Sequence, residues 1–378
     1  MKRICRSLAV FICLVVASLA QAAQGVTSES ITLLQTADLS GTRAPLVKEL
    51  NVGWQAYLAH VNAQGGVHGR KVILRSEDDG YVVEKTRQIV MERIRHDDIF
   101  AVVSTIGTSN AAATLPLLKA ANVPLIAPFS GAEELRRNGG RNVFHIRASY
   151  AQEVEKMVEH VLTLGLRRVA VFYDDDAFGQ DVLKAAEGAL AARSLKLVAQ
   201  GRVSRGSAEV TEAVQQISRA APQVVICGSF GKSLVAFVGQ MKSTGTAPSF
   251  YALSFFPAGP SIAQLGPDAR GISVTQVMPR TDSVGSALVR EFQALLNKHA
   301  PGTKTTPISL EGYVTAKVTV EGLRRAGPNP TRERFVVALE SLRDFDLGSL
   351  RLTYGPHNRS GLRFVDISVV GETGRLLH

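Results

Sequence analysis

FAVVSTIGTSNAAATLPLLKAANVPLIAPF, residues 100–129, decides the fold. FAVVSTIG (100–107) is apolar and rich in β-branched residues, which predicts a strand. The small polar stretch GTSN (107–110) follows. ATLPLLKAAN then carries a helical pattern, and VPLIAPF (123–129) predicts a second strand. Pro124 costs no central ladder bond if it lies near an edge or end. Upstream, ITLLQTA (31–37) predicts a strand, and Leu46, Leu50, Trp54, Tyr57 and Val61 recur at helical spacing. KVILRSEDD continues as a strand, and Val82, Val83, Thr86, Ile89, Val90 and Ile94 fit a helix.

The alternation restarts near residue 150. AQEVEKMVEHVLTLG is a helix with Gly165 as its stop, RRVAVFYDDD a strand and AFGQDVLKAAEGALAAR a helix. LKLVAQGRV, QVVICG and SFYALS predict three more strands, separated by the helical SAEVTEAVQQISRA and GKSLVAFVGQMKSTG. Strict alternation implies parallel sheets covered by helices on both faces. Two consecutive sets imply an α/β protein of two lobes, each with its own parallel-rich sheet. Beyond GISVTQVMP three helices are expected. The chain then ends in a hairpin, SLRLTYG and GLRFVDISVV around the turn PHNRSG.

At 378 residues, 45% hydrophobic and 20% charged, the chain has the composition of an ordinary folded protein. MKRICRSLAVFICLVVASLAQAAQG at the start has a basic head, an apolar run from Leu8 to Leu19, and small residues at Ala20 and Ala22. This predicts a signal peptide over residues 1–22 and a soluble periplasmic product. Its removal lowers the formal charge of +10 by three and leaves Cys227 as the one cysteine, which excludes an internal disulfide. Cys227 lies in a strand-like run and is expected to pack. The basic residues are scattered without aromatic interleaving, so no nucleic-acid surface is expected.

Catalytic and metal patterns are missing. No G-x-S-x-G elbow is present. GSFGKS (228–233) ends like a phosphate loop, but Ile226 stands where that loop needs glycine. The eight histidines are dispersed without close ligand spacing. DDD at 174–176 and EDDG at 77–80 read as solvent-facing or helix-capping carboxylates. No enzyme activity, cofactor or metal is expected. What remains are strand ends rich in small polar groups, where open parallel sheets bind ligands. GTSN offers helix N–H groups and the Thr108 and Ser109 hydroxyls to an anion, with Ser130 in the next loop. Simple capping of the helix by Thr108 or Ser109 is the equally open alternative.

These residues carry a resemblance. ADLSG, NVGWQAYLAHVNAQGGVHGRKVILRSEDDG, VVSTIGTSNAAATLPLLKAANVPLIAPFSG, VFHIRASYAQEV, RRVAVFYDDDAFGQD and LEGYVTAKVTVEGLRRAG occur in order across essentially the whole mature chain. It resembles the branched-chain amino-acid (Leu/Ile/Val) type of periplasmic binding protein, which serves ABC importers. The resemblance implies two Rossmann-like lobes, 27–147 plus 280–350 and 148–279 plus 351–378. Three crossings near 147–149, 277–280 and 349–353 would join them around a ligand cleft. It implies a monomer that hands its ligand to an ABC-type membrane permease. A ligand-sensing receptor of the same fold is the alternative.

By the same resemblance, Leu46, Thr108, Ser109, Phe129, Ser130 and Gly131 line the first lobe's side, and Phe178, Phe230 and Ser254 the second's. Two departures matter. Relatives that hold amino acids commonly present a tyrosine in the motif seen here as AFG, where this chain has Phe178. They also place a glutamate where this chain has Ser254, and SFYALSFFPAG contains no acidic residue. A buried ammonium needs strong acceptors. Asp38, Asp174 and Asp176 are the candidates to replace them. The expected ligand is therefore a small carboxylate, an organic acid rather than a free amino acid, with Phe129, Phe178, Phe230 and Phe255 around its body.

Overall fold

The computed structural model describes residues 25–258 and 260–377, so the signal-peptide reading lies outside the described residues. Five strands build the first sheet: β1 (Ser30–Ala37), β2 (Lys71–Asp78), β3 (Ala101–Val103), β4 (Leu125–Ile126) and β5 (Val143–Phe144). Their order is β2-β1-β3-β4-β5 and every pair is parallel. The helices between them are α1 (Ala44–Ala63), α2 (Val83–Arg95), α3 (Thr108–Ala120) and α4 (Glu133–Asn138). The strand predicted over 100–107 is shorter, because regular pairing ends where Ser104 takes a left-handed φ of 50°.

Ser149 caps the helix that opens the second lobe, α5 (Tyr150–Thr163), in a reciprocal box with Gln152. The second sheet takes β6 (Val169–Asp174), β7 (Ala199–Val203), β8 (Val224–Gly228), β9 (Ser249–Ala252) and β10 (Ser273–Gln276) in the order β7-β6-β8-β9-β10, all parallel. Helices α6 (Ala177–Ala191), α7 (Thr211–Arg219), α8 (Lys232–Ser243) and α9 (Ser261–Leu265) connect them. The chain then returns to the first lobe with α10 (Ala287–His299), α11 (Pro307–Ala326) and α12 (Arg332–Glu340). There α11 lies against α1 at two glycines. A Cβ on Gly53 would fall 1.8 Å from the Ser309 carbonyl oxygen, and one on Gly312 2.0 Å from that of Leu50. Only hydrogen fits at such a backbone approach.

The expected terminal hairpin does not form. β11 (Phe345–Asp346) pairs antiparallel with β12 (Arg351–Leu352) across a tight turn at Gly348. The later run becomes β13 (Asp366–Val370), which pairs antiparallel with β10 and then with β14 (Leu376–Leu377). Residues 351–362 stay with the first lobe. Tyr354 donates its N–H to Leu342 O (2.7 Å), and Leu362 donates to Ile146 O (3.0 Å). Closing a loop of a few residues is cheaper than pairing distant segments, and periodicity carries no information about which choice is made.

Candidate functional site

The C-terminal ends of the parallel strands in both lobes face one cleft. The loop after β1 is folded by Asp38, whose carboxylate accepts from the N–H groups of Gly41 (2.6 Å) and Arg43 (2.9 Å). This turns Arg43 and Leu46 toward the cleft. After β2, Asp79 accepts the Tyr81 N–H (2.8 Å) and the Thr86 hydroxyl (2.7 Å). After β3, Gly107 takes a positive φ of 95° and starts α3 with no side chain capping it. The alternative in which Thr108 or Ser109 caps this helix is thus set aside. The first-turn N–H groups have no partner within a helix, and Gly107 and Thr108 form part of the cavity wall.

The two lobes leave a cavity of about 40 Å³ between them. Of the expected residues, Leu46, Thr108, Phe129, Phe178, Phe230 and Phe255 line it, joined by Arg43, Tyr81, Ile106, Gly107 and Tyr150. Phe255 is the centre of the aromatic wall. Its ring centroid lies between 5.5 and 6.5 Å from those of Phe129, Tyr150, Phe178 and Phe230, in tilted or edge-to-face geometry. Phe178 is set by α6, whose start is capped by Asp176 through the Gly179 N–H (3.0 Å).

Ser109, Ser130, Gly131 and Ser254 stand outside the lining. Ser130 lies directly behind it, with its hydroxyl 2.8 Å from that of Thr108 while it accepts from Ala132 N–H (3.2 Å). Gly131 lets Tyr150 approach, since a Cβ there would meet that ring at 2.5 Å. Ser109 is half-buried on α3. Ser254 belongs to the floor: it accepts from the Arg147 guanidinium, and its N–H donates to Glu153 (3.0 Å).

That floor is an ionic cluster that the sequence did not reveal. Arg147 is fully buried, 3.6 Å from a Glu153 oxygen and 3.7 Å from a Glu311 oxygen. Its guanidinium carbon lies 4.6 Å from the Phe129 centroid and 5.7 Å from that of Phe255. Thr275 gives Glu153 a further hydrogen bond (2.5 Å). A glutamate thus does reach Ser254, from α5 rather than from the strand end, but Arg147 answers its charge.

Arg43 is the one charged side chain in the lining, and no carboxylate lines the cavity. Its guanidinium carbon sits 3.5 Å from the Tyr81 centroid. Burial raises the Tyr81 phenol and pushes that of Tyr150 up to about 12, so both stay neutral near pH 7. The three aspartates weighed as ammonium acceptors are engaged elsewhere. Asp38 shapes the β1 loop, and Asp176 caps α6 and pairs with Arg205 (3.5 Å). Asp174 accepts from Ser229 (2.7 Å), and burial pushes its carboxyl up to about 7. Cys227 is buried in β8, which raises its thiol and suits packing. Arg43 and Tyr81 were missed although they follow the quoted motifs within two residues, and Tyr150 although it lies inside VFHIRASYAQEV. Strand-end position was their only signal.

Among the described residues no group of three or more His, Cys, Asp or Glu has metal-holding geometry, and no helix is long and apolar enough to cross a membrane. Residues 30–364 match the periplasmic binding protein family. A Leu/Ile/Val-binding protein homolog 7 of Brucella abortus is 25% identical over 323 residues, covering 81% of this chain and 79% of that one. The solved substrate-binding periplasmic protein of Ralstonia solanacearum is 32% identical with a TM-score of 0.84, over 92% of this chain and 99% of that chain. A possible leucine/isoleucine/valine-binding protein of Rhodopirellula baltica is 26% identical with a TM-score of 0.87, over 93% and 97%. The chain belongs to the periplasmic binding protein family, as a periplasmic solute-binding protein with two α/β lobes around one cleft.

Proposed function

We propose that the ligand is a small monocarboxylic acid with an aromatic or branched aliphatic body and no free ammonium. One observation carries this reading: the cavity is walled by rings, holds the Arg43 guanidinium and the uncapped start of α3, and presents no carboxylate. The carboxylate end would lie against Arg43, Thr108 and the first-turn N–H groups, where charge-assisted hydrogen bonds and the helix field both favour an anion. The body would lie among Phe129, Phe178, Phe230 and Phe255. Burying it contributes roughly 25 cal/mol per Å² of apolar surface, less the cost of ordering. An ammonium brought into this cavity would be desolvated beside a guanidinium, with no acceptor of opposite charge. The closed form, favoured because it alone contacts the ligand from both sides, would then dock on a membrane permease.

Matched pairs test the reading. Thermal shift and calorimetry are run with 3-phenylpropanoate against phenylalanine, and with 4-methylpentanoate against leucine. An acid raises the melting temperature while its α-amino partner does not. Tight binding of either amino acid, with no binding of its deaminated partner, would sink the proposal.

A further inference from the structure

We propose that Arg205, which does not line the cavity, is a positioning residue that clamps Tyr81 as the lid of the closed cleft and thereby sets how long a bound ligand stays. The inference rests on the cavity being the ligand site and deepens that reading. Arg205 sits in the turn after β7, in the second lobe, where Asp176 holds its Nε at 3.5 Å. Its Nη2 crosses to the first lobe and donates to the Tyr81 carbonyl (3.1 Å) and to the Asn110 side-chain oxygen (3.0 Å). Its guanidinium carbon also lies 3.7 Å from the Tyr81 ring centroid, while that of Arg43 lies 3.5 Å from the same point. Two planar groups that close to one centroid fit only on opposite faces. Tyr81, part of the cavity wall, is therefore sandwiched between a guanidinium of its own lobe and one of the other.

The first lobe is built to receive Arg205. Tyr81 has a φ of 61°, in the left-handed region that a bulky residue adopts only under constraint. The Asp79 carboxylate supplies that constraint by accepting the Tyr81 N–H. The same carboxylate holds Thr86, and the Thr86 hydroxyl receives the Asn110 amide (2.8 Å). One buried polar chain thus presents both of Arg205's acceptors. Behind the ring, Gly107 leaves the needed space, because a Cβ there would meet Tyr81 Cε2 at 2.5 Å. Arg43 and Tyr81 both belong to the first lobe, so their stacking survives opening. The contacts of Arg205 with Tyr81 and Asn110 exist only when the lobes meet. They stabilise the closed form selectively, which is the condition for shifting its population.

The experiment uses the mature protein with Lys119→Cys and Glu212→Cys as exposed fluorophore sites, one in each lobe; Cys227 is buried and does not compete for label. Lobe separation is measured without ligand, and dissociation by stopped flow with 3-phenylpropanoate, or with leucine if only leucine binds. Arg205→Gln is expected to accelerate dissociation about tenfold and to lower the ligand-free closed population, as expected for a lost cation–π contact plus charge-assisted hydrogen bonds. Arg205→Lys restores part of the effect. Tyr81→Leu, which removes the stacked ring, lowers the ligand-free closed population as Arg205→Gln does and adds little to it. A residue with a merely structural role would lower the melting temperature without this pattern. Unchanged dissociation and unchanged lobe separation in a folded Arg205→Gln overturn the clamp. If neither probe binds the parent protein, the ligand reading fails and lobe separation alone decides: a lower closed population upholds the clamp, an unchanged one overturns it.

Discussion

Arg147 and Arg43 both touch the aromatic surroundings of one cavity, and the protein treats them differently. Arg147 lies under Phe129 and Phe255, fully buried, with Glu153, Glu311 and Ser254 around it. Arg43 lies inside the wall, stacked on Tyr81, with no carboxylate beside it in the lining. The first charge has two glutamates within 4 Å; the second feels the field of Asp174 and faces the cavity. Removing each should therefore be felt in a different measurement. Arg147→Ala leaves two glutamates buried around an empty site and is expected to cost ~3–5 kcal/mol in urea unfolding. Adding Glu311→Gln should recover part of that loss, since burial and Glu153 already raise the Glu311 carboxyl. A loss below about 1 kcal/mol for Arg147→Ala would mean that the floor is not an ionic structure.

Arg43→Gln should reverse the pattern. Ligand-free stability stays near that of the parent, whereas affinity for 3-phenylpropanoate falls about thirtyfold, or ~2 kcal/mol, the size of a lost hydrogen bond to a charged group. Calorimetry on the folded variant checks it. Parent-like affinity would move the carboxylate away from Arg43 and onto the start of α3.

Asp174 is a third buried charge, on the second lobe, and it extends the contrast to pH. Burial pushes its carboxyl up to about 7, against about 3.9 in an unfolded chain. Between roughly pH 4 and 7 the folded protein keeps a proton that the unfolded chain has lost. Stability from this group is therefore fully present below that window, declines as pH rises through it, and levels off above. The slope is at most ~1.4 kcal/mol per pH unit. Asp174→Asn should flatten it in ligand-free unfolding measured from pH 4 to 8. An unchanged profile would show that Ser229, Arg43 and Arg205 keep Asp174 ionised throughout.

The floor and the wall were legible in the sequence to different degrees. Phe129, Phe178 and Phe230 came from the resemblance, whereas the alternation around GTSNAAATLP placed Thr108 at a strand end, by the rule that a parallel strand ends at the cleft whatever surrounds it. Ser254 obeyed that rule as well, yet it points into the floor. Its direction is fixed by Arg147, over a hundred residues away in sequence. Tyr81 depends on a left-handed turn held by Asp79 and on the absence of a Cβ at Gly107. Neither leaves a periodic trace. The terminal strands failed for a related reason. Hydrophobic alternation marks a strand but not its partner, and β12 found its partner five residues upstream instead of in the run that follows.

The smallest expected effect separates a hydroxyl that meets the ligand from one that orients it. Ser130 accepts the Ala132 N–H and lies 2.8 Å from Thr108, where donating its proton would satisfy the Thr108 oxygen. Thr108, which lines the cavity, can then turn its proton toward a bound carboxylate. Thr108→Val should weaken 3-phenylpropanoate binding about fivefold, or ~1 kcal/mol, the net worth of one ordinary hydrogen bond. Ser130→Ala should weaken it less, because Thr108 keeps its donor and loses only its orientation. The double variant should equal Thr108→Val alone, since Ser130 has nothing left to orient. Additive losses in calorimetry would mean that Ser130 contacts the ligand itself, and the cavity would then reach deeper between α3 and the β4 loop than its present wall.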